Sequence, residues 1–202
     1  MSHGPKYNVA FKRRINGKTD YHMRQSMILS KVPRLVSRCS LKHVVAQLVE
    51  SFPEGDKTSV SVHSKELTKE FGWNAPCGNI PAAYLTGFLL GRRALSLGIK
   101  NAILDIGLQK PSAGSRIFAV LKGAMDAGLE IPCDSKILPD DTRTDGGHII
   151  SYAKQLLDSD SVLYERRFSQ YLSKGLRPEE CGELLEKIKN KIDVSIRGEK
   201  ND

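Results

Sequence analysis

Aromatic residues are scarce in this chain of 202: they make up 6%, with Trp73 the only tryptophan. That scarcity argues against a surface dominated by base-stacking platforms, which need exposed rings. Long apolar runs are absent too; none approaches the ~18 residues of a transmembrane helix. The N-terminus has no apolar signal-peptide core, so a cytosolic protein without a membrane partner is expected. The four cysteines, Cys39, Cys77, Cys133 and Cys181, stand far apart, with no Cys-x-x-Cys pair. Free, mostly buried thiols in a reducing compartment are expected rather than a zinc site. His3, His22, His43, His63 and His148 include no pair at i, i+4, so neither metal nor cofactor is expected. There is no Gly-x-Ser-x-Gly elbow, and the loop Gly107 to Ser115 lacks the Gly-Lys-Ser/Thr ending of a P-loop. No small-molecule substrate site is legible.

Acidic residues are nearly missing from one stretch. Between Lys6 and His43 there are ten Lys and Arg against one acid, Asp20, a net charge of +9. The whole chain carries +8, so the residues after His43 sum to −1. With a pI near 9.3, this points to a phosphate-rich partner, since each Lys or Arg on a phosphate releases a condensed counterion. A disordered, solubilising tail is the plainer alternative. Against it, the basic residues continue into a helix and then a strand.

The hydrophobic share of 40% is enough for one domain with appendages. Met1 to Lys18 cannot form a core and is expected as an extended arm that orders on a partner. Thr19 or Asp20 caps a short helix that ends before Pro33. Arg24 lies in its first turns, where a cation opposes the helix dipole; the small cost fits a residue placed for a partner. Strands are expected over Arg34 to Cys39, Val44 to Glu50 and Thr58 to His63, joined by short turns into an antiparallel meander. Ser64 caps a short helix stopped by Gly72. Asn79 caps a long one with Pro81 near its start, in which Ala83, Gly87 and Gly91 allow close approach of another element. The apolar run Ala102 to Ile106 is expected as a central strand buried on both faces, Ser115 as the cap of a further helix, and Leu129 to Ile131 as a fifth strand. The whole is an α/β fold: a mixed sheet with an N-terminal three-strand meander, helices packed on the sheet, a basic arm and a helical C-terminal extension. The expected divisions are 1–19 for the basic arm, 20–157 for the globular α/β domain and 158–202 for the helical extension.

Arg34 and Arg38 share one strand face about 13 Å apart, a span that bridges several phosphates; the plain alternative is solvation of an edge strand. Lys42 and His43 sit at the adjoining turn, and Lys110 and Arg116 flank a Gly-containing loop. Asn, Ser and backbone groups there can reach sugars, including the 2′-OH that marks RNA. The main enzyme alternative is an RNase H-like, metal-dependent nuclease, which needs clustered carboxylates. Asp105 is one candidate and Asp126 another. The first strand offers arginines where an acid is needed, and Asp105 is more simply a strand-end acceptor for loop N–H groups. A generic RNA chaperone is a third reading.

The segments Thr19-Asp20-Tyr21-His22-x-Arg24 and Pro33-Arg34-Leu35-Val36-x-Arg38-x-Ser40-x-Lys42-His43-Val44 carry a family pattern. So do Gly78-Asn79-x-Pro81-x-Ala83-Tyr84-Leu85-Thr86-Gly87, Leu104-Asp105-Ile106-Gly107-Leu108, Gly114-Ser115-Arg116 and Gly123-Ala124-x-Asp126-Ala127-Gly128. Over roughly residues 4–157, the chain resembles the archaeal type of the L-eighteen family of large-subunit ribosomal proteins. The resemblance implies a non-enzymatic protein that binds 5S rRNA and helps dock it on the central protuberance. It also implies contacts with 23S rRNA and with neighbouring ribosomal proteins, including another 5S-binding protein. By position, it implies RNA-facing roles for Lys12, Arg13, Arg14, Lys18, Tyr21, His22 and Arg24, for Arg34, Arg38, Lys42 and His43, and for Lys110, Ser115 and Arg116.

Overall fold

A computed structural model describes residues 4–5 and 8–198; Lys6 and the ends of the arm and tail lie outside the described residues. The first element is one helical turn, α1 (Lys12–Ile15), so the arm is not extended throughout. Helix α2 (Tyr21–Leu29) follows, capped by Asp20, whose Oδ1 accepts from the backbone N–H of His22 at 2.9 Å. The meander is β1 (Arg34–Cys39), β2 (Val44–Phe52) and β3 (Gly55–His63), with β2 antiparallel to both neighbours. After α3 (Ser64–Glu70) and α4 (Ile80–Ser96), strand β4 (Ile103–Asp105) returns parallel to β1. The sheet order is β3-β2-β1-β4.

Two expectations change here. The run Ala102 to Ile106 gives a three-residue strand at the sheet's edge, and β1 lies in its interior. Leu129 to Ile131 supplies only a single parallel bridge, Asn101 to Glu130. An apolar run signals burial without saying whether strands or helices supply it.

One face of the sheet is the core face. Leu35, Ala46, Leu48, Val60 and Val62 alternate onto it and are buried with α4. Helix α5 (Arg116–Asp126) packs on α4 through glycines. A Cβ built on Gly87 would stand 2.0 Å from the Val120 carbonyl oxygen, and one on Gly123 would stand 2.1 Å from that of Tyr84. The expected close approach along α4 is therefore real. Asn79 caps α4 as expected, accepting from the Ala82 N–H at 2.9 Å. Ser115 occupies the cap position of α5, but its hydroxyl makes no capping bond. At α3 the cap is His63, one residue before the expected Ser64: its Nδ1 accepts from the Lys65 N–H at 3.0 Å, and Glu66 accepts from the His63 N–H at 2.7 Å. Ser64 instead accepts from the Val44 N–H at 3.1 Å and ties the two segments together.

The C-terminal part is helical: α6 (Asp141–Thr144), α7 (Gly147–Ser159), α8 (Ser161–Arg167), α9 (Ser169–Leu172) and α10 (Cys181–Gly198). Tyr164, Phe168, Cys181, Ile188 and Ile192 are buried within the same continuous apolar cluster as α4 and the sheet. The four cysteines are free; Cys77 and Cys181 are buried, Cys39 half-buried and Cys133 exposed.

Candidate nucleic-acid interface

The opposite face of the sheet carries a row of alternating charges. Strand pairing sets Arg34 beside Ile103 and Val36 beside Asp105, which brings the Asp105 carboxylate to both arginines of β1. Arg34 Nη1 donates to Asp105 Oδ2 at 2.8 Å, and Arg38 Nη2 donates to Asp105 Oδ1 at 3.2 Å. Arg34 Nη2 turns the other way, to Asp56 Oδ2 at 2.8 Å and Ser51 Oγ at 3.3 Å. Asp56 also receives Arg24 Nη2 at 2.8 Å. Three arginines and two aspartates thus run from α2 across β3 and β1 to the end of β4. Burial alone would raise the Asp56 carboxyl, but hydrogen bonds and charge from Arg24 and Arg34 outweigh it and hold it below its ordinary value.

Arg34 departs from its expected place. Its side chain is 4% exposed and committed to two carboxylates, so it is an internal tie and not a free surface cation. The edge-strand alternative fails as well, because β1 is flanked on both sides. A phosphate would have to break two short ion pairs to claim Arg34, with the desolvation cost of a buried charge against it. Arg24 likewise has an internal partner, Asp56, that offsets its unfavourable position at the start of α2. Arg38 keeps 43% of its side chain exposed while donating to the Asp105 carbonyl at 2.8 Å, and so borders the surface.

Asp56 is a site residue that the sequence pattern conceals, and β3 shows why. Counting back in twos from the buried Val62 and Val60 would place Thr58 and Asp56 on the core face. The register shifts between Leu48 and Val49, where Leu48 pairs with Val60 but Val49 pairs with Thr58. The extra residue, Ser59, is a β-bulge that reverses the parity of the strand. Asp56, paired with Ser51, therefore meets Arg34 on the open face.

The arm supplies the unshielded charge. Lys12, Arg13, Arg14 and Lys18 are exposed, as is His22 on α2, and Tyr21 is half-buried. Arg13 Nε donates to Thr19 Oγ1 at 2.9 Å, and the Phe11 and Tyr21 rings lie 4.9 Å apart, folding the arm back on the start of α2. Arg13 and Lys18 line the same cavity as Arg38 and Gly107, beneath α2.

A second group stands at the end of β1. Arg116 Nη1 donates to the carbonyls of Ser40 at 2.7 Å and Gly78 at 3.0 Å. It fastens the β1–β2 turn and the loop before α4 to the start of α5. Gly78 is required there, since an added Cβ would lie 2.5 Å from the Leu41 carbonyl oxygen. Lys42 and Lys110 are exposed on the two loops. The Ser115 hydroxyl is buried without a partner among the described residues. The His43 ring lies 4.9 Å from that of His63; slight burial, then the charges of His63, Lys65 and Lys42, lower its pKa. Gly107 links the two groups: its N–H donates to Asp105 Oδ1 at 2.8 Å, and Arg38 lies against it.

The carboxylates a nuclease would need are already engaged and apart. Asp105 holds arginines and the Gly107 N–H, the loop role expected of it, while Asp126 accepts from the Tyr84 hydroxyl at 2.8 Å between α4 and α5. Among the described residues, no three His, Cys, Asp or Glu side chains converge as metal ligands, and no helix is long and apolar enough to cross a membrane.

The sequence profile described as "Ribosomal large subunit proteins 60S L5, and 50S L18" matches residues 5–102 and 98–134. The chain is 50% identical over 192 residues to the large ribosomal subunit protein uL18 of the archaeon Caldivirga maquilingensis, covering 95% of this chain and 93% of the relative.

Proposed function

The chain belongs to the family of large-subunit ribosomal proteins that includes 60S L5 and 50S L18, and from that premise we propose that it binds 5S rRNA. It is a structural, non-enzymatic, RNA-binding component of the large ribosomal subunit, acting in translation. In the proposed role it helps attach 5S rRNA to 23S rRNA at the central protuberance, beside a second 5S-binding protein.

The observation that carries this reading is the division of cations on the basic side. Arg24 and Arg34 are spent on internal carboxylates. Lys12, Arg13, Arg14, Lys18, Lys42 and Lys110 remain exposed, with Arg38 bordering them. Fixed arginines shape the surface, and exposed cations on the arm and loops meet phosphates. Phosphate contacts of this kind set position and affinity, while shape selects the RNA.

The test is binding to 5S rRNA against a size-matched competitor RNA at two salt concentrations, for the full chain and for a version lacking residues 1–19. The expected result is a clear preference for 5S rRNA, with a salt dependence shallower in the truncation by about one for each phosphate that the arm neutralises. Equal binding of both RNAs would remove the 5S role and leave a non-specific basic protein.

A further inference from the structure

The cavity beneath α2, about 330 Å³, is not accounted for by the ion pairs beside it. Met23 and Met27 line it from the helix, and Val36 and Val49 line it from the open face of the sheet. Thioether and branched side chains on two sides suit a flat, polarisable ring. Arg34 also lines the cavity, and its Nε is buried without a hydrogen-bond partner among the described residues although both Nη atoms are engaged. A buried donor in that state favours a ligand that brings an acceptor. Arg13 and Lys18, two solvent-exposed cations, also line it, as do the carboxylates of Asp20, Asp56 and Asp105, the last two paired with Arg24, Arg34 and Arg38.

A nucleotide meets all three demands. Its base has a flat face for the apolar walls and a ring carbonyl or ring nitrogen for Arg34 Nε, and its phosphate suits Arg13 and Lys18. The volume lies at the lower end of the ~300–1,000 Å³ typical of small-molecule sites, enough for one nucleotide and far too small for a duplex. Access does not require unpacking a core: α2 has no buried residue. Its ion pair to the sheet, Arg24 to Asp56, is about one-third exposed on either partner, at 33% and 29%.

We infer that this cavity takes a single unstacked nucleotide of the bound RNA, with the base between the methionines of α2 and the valines of the sheet. The inference rests on the RNA-binding reading above and adds to it a place where a base, and not only backbone, is held.

The chain has four methionines, so methyl-labelled methionine gives a simple spectrum of the full-length protein. Each of the four nucleoside 5′-monophosphates is titrated in, with inorganic phosphate and ribose 5-phosphate as controls. Saturable shifts of Met23 and Met27 with at least one nucleotide, larger than with either control and with Met125 unmoved, are expected. Met27→Trp, which fills the cavity from a helix with no buried residue, should abolish the nucleotide-dependent shift of Met23. It should also weaken 5S rRNA binding about tenfold, equivalent to the ~1.4 kcal/mol of one stacked base. Met23→Trp serves as the second variant if the first alters the melting curve. No saturable shift with any nucleotide, or shifts matched by phosphate alone, overturns the inference. So does undiminished 5S binding by a folded Met27→Trp protein, and that result leaves the 5S reading standing. Loss of 5S preference in the unaltered chain would remove the 5S reading instead, a result the free-nucleotide titration does not depend on.

Discussion

Arg34 and Lys18 carry the same charge and do opposite work. Arg34 is buried between Asp105 and Asp56; Lys18 is exposed on the arm. Removing Arg34 leaves carboxylates without their central cation, at a cost of about 3 kcal/mol. Urea denaturation of Arg34→Ala should show that loss, while the salt dependence of RNA binding by the protein that remains folded keeps its slope. Lys18→Ala should reverse the pattern: unchanged stability and a slope shallower by about one. Equal slopes for both variants would mean that Lys18 touches no phosphate. Asp56 adds a pH dependence. Its folded-state pKa is depressed, so its contribution is fully present above the ordinary carboxylate value, near 4, and is lost as pH falls through the lower folded value. Asp56→Asn should therefore destabilise the protein at pH 6 and make little difference in strong acid. Thermal melting at pH 6 and at pH 2–3 would check this, and a variant equally destabilised at both would show that charge is not the cause.

At the scale of elements, local chemistry explains what was legible. Strand β1 has the expected bounds because its alternation is unbroken and a turn follows it. Helix α4 has the expected cap because Asn79 precedes Pro81, and its small residues mark the α5 contact. What failed was nonlocal. Parity on β3 is reversed by the bulge at Ser59, so no periodicity count could have set Asp56 beside Arg34. The apolar run Ala102 to Ile106 forms an edge strand, paired on one side only, with β1; a period count cannot tell an edge strand from a central one. The ion pairing of Arg24 and Arg34 was hidden for the same reason: each basic residue was visible, but its acid lay 32 or 71 positions away. The α4–α5 contact allows a sharp test. With 2.0 Å between an added Cβ on Gly87 and a backbone oxygen, the helices must separate. Gly87→Ala should cost about 3 kcal/mol or more, at the upper end of overpacking effects. The same change at Gly91, where the nearest atom is the Ala127 methyl at 2.6 Å, should cost less. Chemical denaturation of the two variants checks the order.

At the scale of the whole molecule, charge and core divide differently along the chain. Charge is lopsided along the chain: the first 43 residues hold +9 and the remainder −1, so the attraction for a polyanion is concentrated in the N-terminal stretch. The core is shared from β1 to α10. Lys189 of α10 donates to the Tyr84 hydroxyl of α4 at 3.1 Å, Arg92 pairs with Asp193 at 2.7 Å, and Ile188 and Ile192 are 1% and 0% exposed. The composition of the tail, apolar on one stripe and charged elsewhere, predicts docking, but not how deeply the stripe is buried. Burying each such isoleucine is worth about 1.5–3 kcal/mol, so ending the chain at Leu157 should remove a substantial part of the stability and expose an apolar face of α4. Calorimetry on the full chain should show one cooperative transition, and the truncated protein should melt at least ~10 °C lower or fail to fold. Two separate transitions in the full chain, with residues 1–157 melting unchanged on their own, would instead make the tail an independent appendage. Affinity for 5S rRNA would then be free to vary without it.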